Sequence, residues 1–195
     1  MDSMVAPAAS PGGLPVAPGP GADWGVEMLG LLPQDGLRYE ILDGILLVSP
    51  SPAPAHQRVI GRLFRIFSDV CPADHEVFFA PLDWQPDART SLQPDLMVVA
   101  RNRIGERVIT GNPALVVEVL SPSSSRYDRV LKISRYAEAG IAQYWIVDPA
   151  SAVIEVFDLD NDRRYRPAVR AGGDVPLTVA APLAVSLIPA MLFSD

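Results

Sequence analysis

The chain has 195 residues, 49% of them hydrophobic and 20% charged, a balance that suits one domain with its own core and excludes a disordered or fibrous protein. A net charge of -7 argues against a surface coated with non-specific nucleic-acid affinity. No apolar run has membrane-spanning length, no basic segment precedes an apolar leader, and Cys71 stands alone, so the sequence reads as a cytoplasmic protein with no membrane association and no internal disulfide.

Residues 1–22 are rich in Ala, Pro and Gly, carry almost no charge and lack periodicity, and are expected to form a disordered leader to a single domain over 23–195. A short helix is expected at Trp24–Leu32. Leu37–Leu42 and Ile45–Val48 flank Asp43-Gly44, a strong hairpin signal. Glu40 lies inside the first of these strands, where its plain reading is a solvent-facing residue. After the Ser-Pro repeat at 49–52 a helix is expected over Pro54–Val70, with Val59, Ile60, Leu63, Phe64 and Phe67 as its apolar stripe. Arg58, Arg62 and Arg65 lie on another side, as a solvated face or a phosphate-contacting ridge. His56, in the first turn, points toward the apolar side, either packed or close enough to reach a metal-bound water or a phosphate.

His75–Ala80 reads as a strand and Asp83, Trp84 and Asp87 as parts of a loop. Asp95–Ala100 and Ala114–Leu120 read as strands, the second so uniformly apolar apart from Glu118 that it should be central and covered on both faces. A Ser-Pro loop at 121–125 is expected to cap a helix from Arg126 to Ala139 that stops at Gly140. Asp128, Lys132 and Tyr136 recur every four residues on one face of it, and Val130, Ile133 and Ala137 on another. Gln143–Val147 and Ala152–Leu159 read as a hairpin about Asp148-Pro149. The rest, to Asp195, alternates loosely and ends in a short turn.

Three residues in this frame carry chemistry. Asp95 and Glu118 are lone acids in apolar strands, costly to bury without a partner or a metal. Lys132 is the only lysine in the chain, a compact ammonium where arginine serves elsewhere. Cutting a phosphodiester needs an activated water, charge relief at phosphorus and help for the leaving oxygen. A hard divalent cation on Asp95, Glu118 and the Val119 carbonyl would supply the first two, with Lys132 orienting the water or stabilising the transition state. The same residues also read as a buried salt bridge between Glu118 and Lys132. Replacing Lys132 by alanine is expected to leave folding intact and abolish cleavage.

The segments RYEILDGILLVSPSPAPAH, QPDLMVV and LVVEVLSPSSSRYDRVLKISRYAEAGIAQYWIVDP, spanning residues from 38 to 149, together resemble the bacterial Uma-two type restriction endonuclease family of the PD-(D/E)XK nuclease superfamily. The resemblance runs from about Tyr39 to the C-terminus. It implies an α/β, restriction-endonuclease-like core: a central mixed β-sheet flanked by helices. It implies DNA as substrate, Mg2+ or Mn2+ as cofactor, Asp95 and Glu118 as the paired acids, and Glu40 and His56 as auxiliary site residues. The superfamily pattern puts lysine two residues after the second acid. Here that position is Leu120, and Lys132 on the following helix takes the role. A homodimer is expected, since cutting both DNA strands takes two sites. The alternative is a nuclease fold kept for binding or regulation without turnover.

Overall fold

A computed structural model describes residues 23–121 and 127–194. The expected leader, 1–22, and the Ser-Pro loop at 122–126 lie outside these residues.

A 3-10 turn at Val26–Leu31 leads into the hairpin of β1 (Arg38–Leu42) and β2 (Ile45–Ser49). Asp43 and Gly44 both take positive φ, 50° and 84°, as a two-residue hairpin turn whose twist matches its strands requires. Helix α1 spans Pro54–Val70, with proline in its first turn, where the missing N–H costs nothing. Then come β3 (His75–Phe79), β4 (Trp84–Asp87), β5 (Thr90–Leu92), β6 (Leu96–Ala100) and β7 (Leu115–Val119). A π-helical turn, Tyr127–Lys132, runs directly into α2, Ile133–Ala139. Gly140 ends α2 in the left-handed region at φ 82°, the usual conformation of a helix-terminating glycine. Strands β8 (Gln143–Asp148), β9 (Val153–Leu159), β10 (Tyr165–Gly172), β11 (Leu177–Val179) and β12 (Val185–Leu187) follow, and α3 (Ala190–Phe193) closes the described chain.

The main sheet has the order β10-β9-β8-β7-β6-β3. It is mixed: β7 and β8 run parallel, joined by the crossover through α2, and every other pair is antiparallel. All five residues of β7 are buried, as a strand covered on both faces must be. On one face Leu96, Val98, Leu115, Val117 and Trp145 pack against Val59, Ile60, Leu63 and Phe67 of α1. On the other Met97, Val99, Val116, Tyr144 and Ile146 pack with Tyr136 of α2 and Trp84. A smaller sheet, β2-β1-β5-β4, stands beside α2. Arg135 of α2 holds it there, through Asp43 at 3.1 Å and through Asp87.

Two expectations need correction. The segment holding Asp83, Trp84 and Asp87 is a strand pair, β4 and β5, with Trp84 fully buried. Its Pro86 and short, polar strands conceal the alternation that marks a hairpin. Val130 is not a packing residue: it is 57% exposed. The stripe Val130, Ile133, Ala137 assumes α-helical spacing, whereas the π-helical turn spreads more residues per turn and rotates Val130 off that face.

Candidate active site

The site follows from two periodicities. Along β7, Leu115, Val117 and Val119 face α1, so Glu118, with Val116, faces α2. β6 pairs with β7 through Leu96 and Val117, and one step further along this register puts Asp95 beside Glu118. Asp128, Lys132 and Tyr136, four apart, bring one face of the crossover helix onto the same spot. Glu40 arrives from β1, and His56 from the first turn of α1.

The contacts are close. Lys132 Nζ lies 3.1 Å from Glu118 Oε1, 3.2 Å from Glu40 Oε1 and 3.4 Å from Asp128 Oδ1. The Tyr136 hydroxyl donates to Glu118 Oε1 at 2.7 Å. Asp95 Oδ2 accepts the Val119 N–H at 2.8 Å, and its Oδ1 takes Arg38 Nη1 at 3.2 Å. His56 Nε2 lies 2.9 Å from the Val119 carbonyl and 3.2 Å from Asp95 Oδ2. Both neighbours are acceptors, so Nε2 carries the proton. Nδ1 is buried with no hydrogen-bond partner among the described residues. Glu40 Oε1 also accepts the Gln93 N–H at 2.8 Å, so Glu40 is buried where the alternation of its strand suggested a solvent-facing residue.

Glu40, Asp95, Glu118, Asp128 and Lys132 are each no more than 3% exposed. Four carboxylates thus surround two fixed cations, Lys132 and Arg38, leaving a deficit of two positive charges in a desolvated space. The titrations reflect it. Burial, then the charges of Asp128, Asp95 and Glu40, push the Glu118 carboxyl up to about 8 against the pull of Lys132. Burial disfavours the Lys132 ammonium, but Glu118, Glu40 and Asp128 outweigh it and hold the amine charged far above its ordinary range. Burial opposes ionisation of Asp95 as well, yet His56 and Arg38 bring its carboxyl below the usual value. The His56 imidazole is raised: burial lowers it, and the hydrogen bond and charge of Asp95 more than compensate.

This donor set fits a hard divalent cation. All the anionic donors are carboxylate oxygens, the ligand type that hard divalent cations take. Among the described residues no three His, Cys, Asp or Glu side chains form a closed metal cage. Asp95 and Glu118 could supply two oxygen donors to such an ion, whose remaining positions water and substrate oxygen would have to fill. The Val119 carbonyl, expected as a third ligand, is engaged by His56 Nε2.

A family model described as "Uma2: Putative restriction endonuclease" matches residues 26–188. The chain belongs to the Uma2 family. Similar proteins include two from Synechocystis sp., the uncharacterized proteins slr1290 and sll1609. The first is 31% identical over 130 residues, covering 64% of this chain and 68% of the relative. The second is 23% identical over 134 residues, covering 66% and 76%. The crystal structure of a putative nuclease belonging to DUF820, from Anabaena variabilis, matches with a TM-score of 0.70 at 20% identity, across 87% of this chain and 97% of that one. The fold expected from the resemblance, a mixed sheet flanked by helices, is therefore the fold observed.

Of the residues singled out from this Uma2 sequence, the structure brings together Asp95, Glu118, Lys132, Glu40 and His56. It adds three. Arg38 reaches Asp95 and the Gln93 carbonyl from β1. Its signal was available, two residues before Glu40 and so on the same strand face. Asp128 and Tyr136 share the face of Lys132, which the spacing did give, but nothing in the sequence tied that face to Glu118. Arg62 donates to the Leu192 carbonyl at 2.8 Å and so anchors the C-terminal segment.

Proposed function

We propose that this Uma2 chain is a Mg2+-dependent endodeoxyribonuclease, with Mn2+ as a substitute ion, acting in the cytoplasm. One observation carries the reading: two buried acids lie side by side, Asp95 just before β6 and Glu118 on β7, and the lone lysine amine from the crossover helix sits 3.1 Å from Glu118. The ion, when bound on Asp95 and Glu118, would supply a water of lowered pKa and polarise the phosphoryl group. The protein's own groups do the rest. Tyr136 and Lys132 fix the Glu118 carboxylate in one orientation. Val119 N–H and Arg38 do the same for Asp95. Lys132 Nζ stays charged beside the space a phosphate would enter, and stabilises negative charge developing there. His56 Nδ1, without a partner among the described residues, would accept from a water in the neutral ring, and would donate to a phosphate oxygen once the ring is protonated, which Asp95 favours.

The test is cleavage of supercoiled plasmid. The wild type is expected to nick or linearise it with Mg2+ or Mn2+ and not with EDTA. Glu118→Gln is expected to lose activity by at least about a hundredfold, in line with loss of a metal ligand or its support. A wild-type protein inert with every divalent ion would leave the alternative, a nuclease fold kept for binding. Severing both strands takes two such sites, so a homodimer is the assembly this reading calls for, and sedimentation velocity on the wild type measures it.

A further inference from the structure

Beside the acidic centre lies a second, larger cleft of about 780 Å³. The acidic centre itself occupies a pocket of about 210 Å³ lined by Glu40, His56, Glu118, Asp128 and Lys132. Arg38 and Asp95 line both, so the two spaces share a wall. The larger cleft is different in kind. Its lining mixes apolar residues of the 3-10 turn and of the loops at Leu32, Leu37 and Pro81 with the carboxylates of Asp83 and Asp95, and Tyr39 is the aromatic residue on it. The Tyr39 hydroxyl donates to Asp35 Oδ2 at 2.8 Å at the protein surface. Three carboxamides, Gln34, Gln57 and Gln93, also line it, the last donating through Nε2 to Asp83 Oδ1 at 3.1 Å, and Arg38 is the basic residue of this lining.

A cleft of this volume with an aromatic side chain, apolar patches, carboxamides and two carboxylates suits a flat heterocycle that carries N–H donors. Drug-sized and cofactor sites run to roughly 300–1,000 Å³ with this mix of walls. A phosphate chain, by contrast, needs repeated cations. We infer that this cleft receives an unstacked nucleobase next to the scissile phosphate, so that the enzyme acts on single-stranded or locally unpaired DNA in preference to intact duplex. The inference rests on the nuclease reading of the adjoining site and deepens it. The phosphate sits at the shared wall by Arg38, and its base turns away from the acids to stack on Tyr39. A paired base has to be extruded first, at a cost an unpaired base does not meet. The net charge of -7 agrees: an enzyme that grips a base has less need of a basic track along a duplex.

Binding tests this apart from cleavage. Fluorescence anisotropy of a labelled DNA oligonucleotide, in EDTA to prevent turnover, is read for the single strand, for its duplex, and for the duplex carrying one unpaired base. The single strand and the bulged duplex are expected to bind at least about tenfold more tightly than the intact duplex. Tyr39→Ala is expected to weaken single-strand binding about tenfold, as loss of one stacking ring does, whereas Tyr39→Phe keeps the ring and retains affinity. Equal or tighter binding of the intact duplex overturns the inference, as does a Tyr39→Ala protein that binds like wild type, or absence of binding to every DNA. Plasmid cleavage with Mg2+ in the presence of any of those results leaves the nuclease reading standing and removes only the base cleft.

Discussion

At the residue scale the decisive feature is Lys132. It is buried to 3% exposure and its amine faces three carboxylates. The plain reading of such a cluster, a structural ion pair, and the catalytic one are therefore not exclusive. The same amine that would stabilise a transition state also neutralises acids that have left water. That changes the expectation for its removal. Lys132→Met should lower stability by about 3–5 kcal/mol at pH 8, because uncompensated buried charge remains, and by less at pH 5, where protonation relieves it. Urea unfolding at both pH values measures the difference. Glu118 gives a second test. Its carboxyl rises from 4.5 to about 8 on folding. Between those values the folded protein holds the proton that the unfolded chain releases, so the contribution to stability is full below about 4.5 and is lost as pH rises through about 8. In EDTA, the melting temperature of the wild type should fall relative to Glu118→Gln between about pH 5 and pH 8, since the carboxamide does not titrate. Parallel pH profiles for the two proteins would show that the carboxyl titrates at its ordinary value.

At the scale of elements, α1 and the crossover helix make different use of their faces. The α1 stripe is a packing surface, with Leu63 and Phe67 fully buried against the sheet. Leu63→Ala should cost about 2–5 kcal/mol. The π-helical turn before α2 commits its inward face to charge and leaves Val130 and Leu131 in solvent, 57% and 37% exposed. Val130→Ser should change stability by no more than about 0.5 kcal/mol. Denaturant midpoints for the two variants check whether the stripe was misassigned to Val130. What locks α2 instead is aromatic: Tyr136 sits between Trp84 and Tyr144, with ring centroids 5.5 and 5.3 Å away. The small sheet has a corresponding task. Tied to α2 through Arg135, it delivers Arg38 and Glu40 to the acids on β6 and β7.

At the scale of the molecule, the proposed activity would set an acidic protein on an acidic polymer, and its attraction would have to be confined. Here the site's cations are Arg38 and Lys132, both engaged with carboxylates. DNA binding should accordingly depend weakly on salt, with a slope of log affinity against log salt no steeper than about -2. A slope several times that, from anisotropy titrations across salt concentrations, would reveal a basic track elsewhere on the surface. No helix among the described residues is long and apolar enough to cross a membrane. The sequence by itself determined the elements whose cause is local. Asp43-Gly44 made the hairpin, Pro54 and the 3.6-residue stripe made α1, Gly140 ended α2, and the unbroken apolar run about Glu118 made a central strand. It also marked Asp95, Glu118 and Lys132 as chemically out of place. Only the tertiary structure decided what depends on distant neighbours. The register of β6 against β7 set Asp95 beside Glu118. The pairing of β1 turned Glu40 inward and brought Arg38 with it, and the π-helical turn selected which face of the crossover helix met the acids. Local pattern fixes which way a side chain leaves its own strand or helix, but what it meets there is set by segments scores of residues away, through packing that no local window contains.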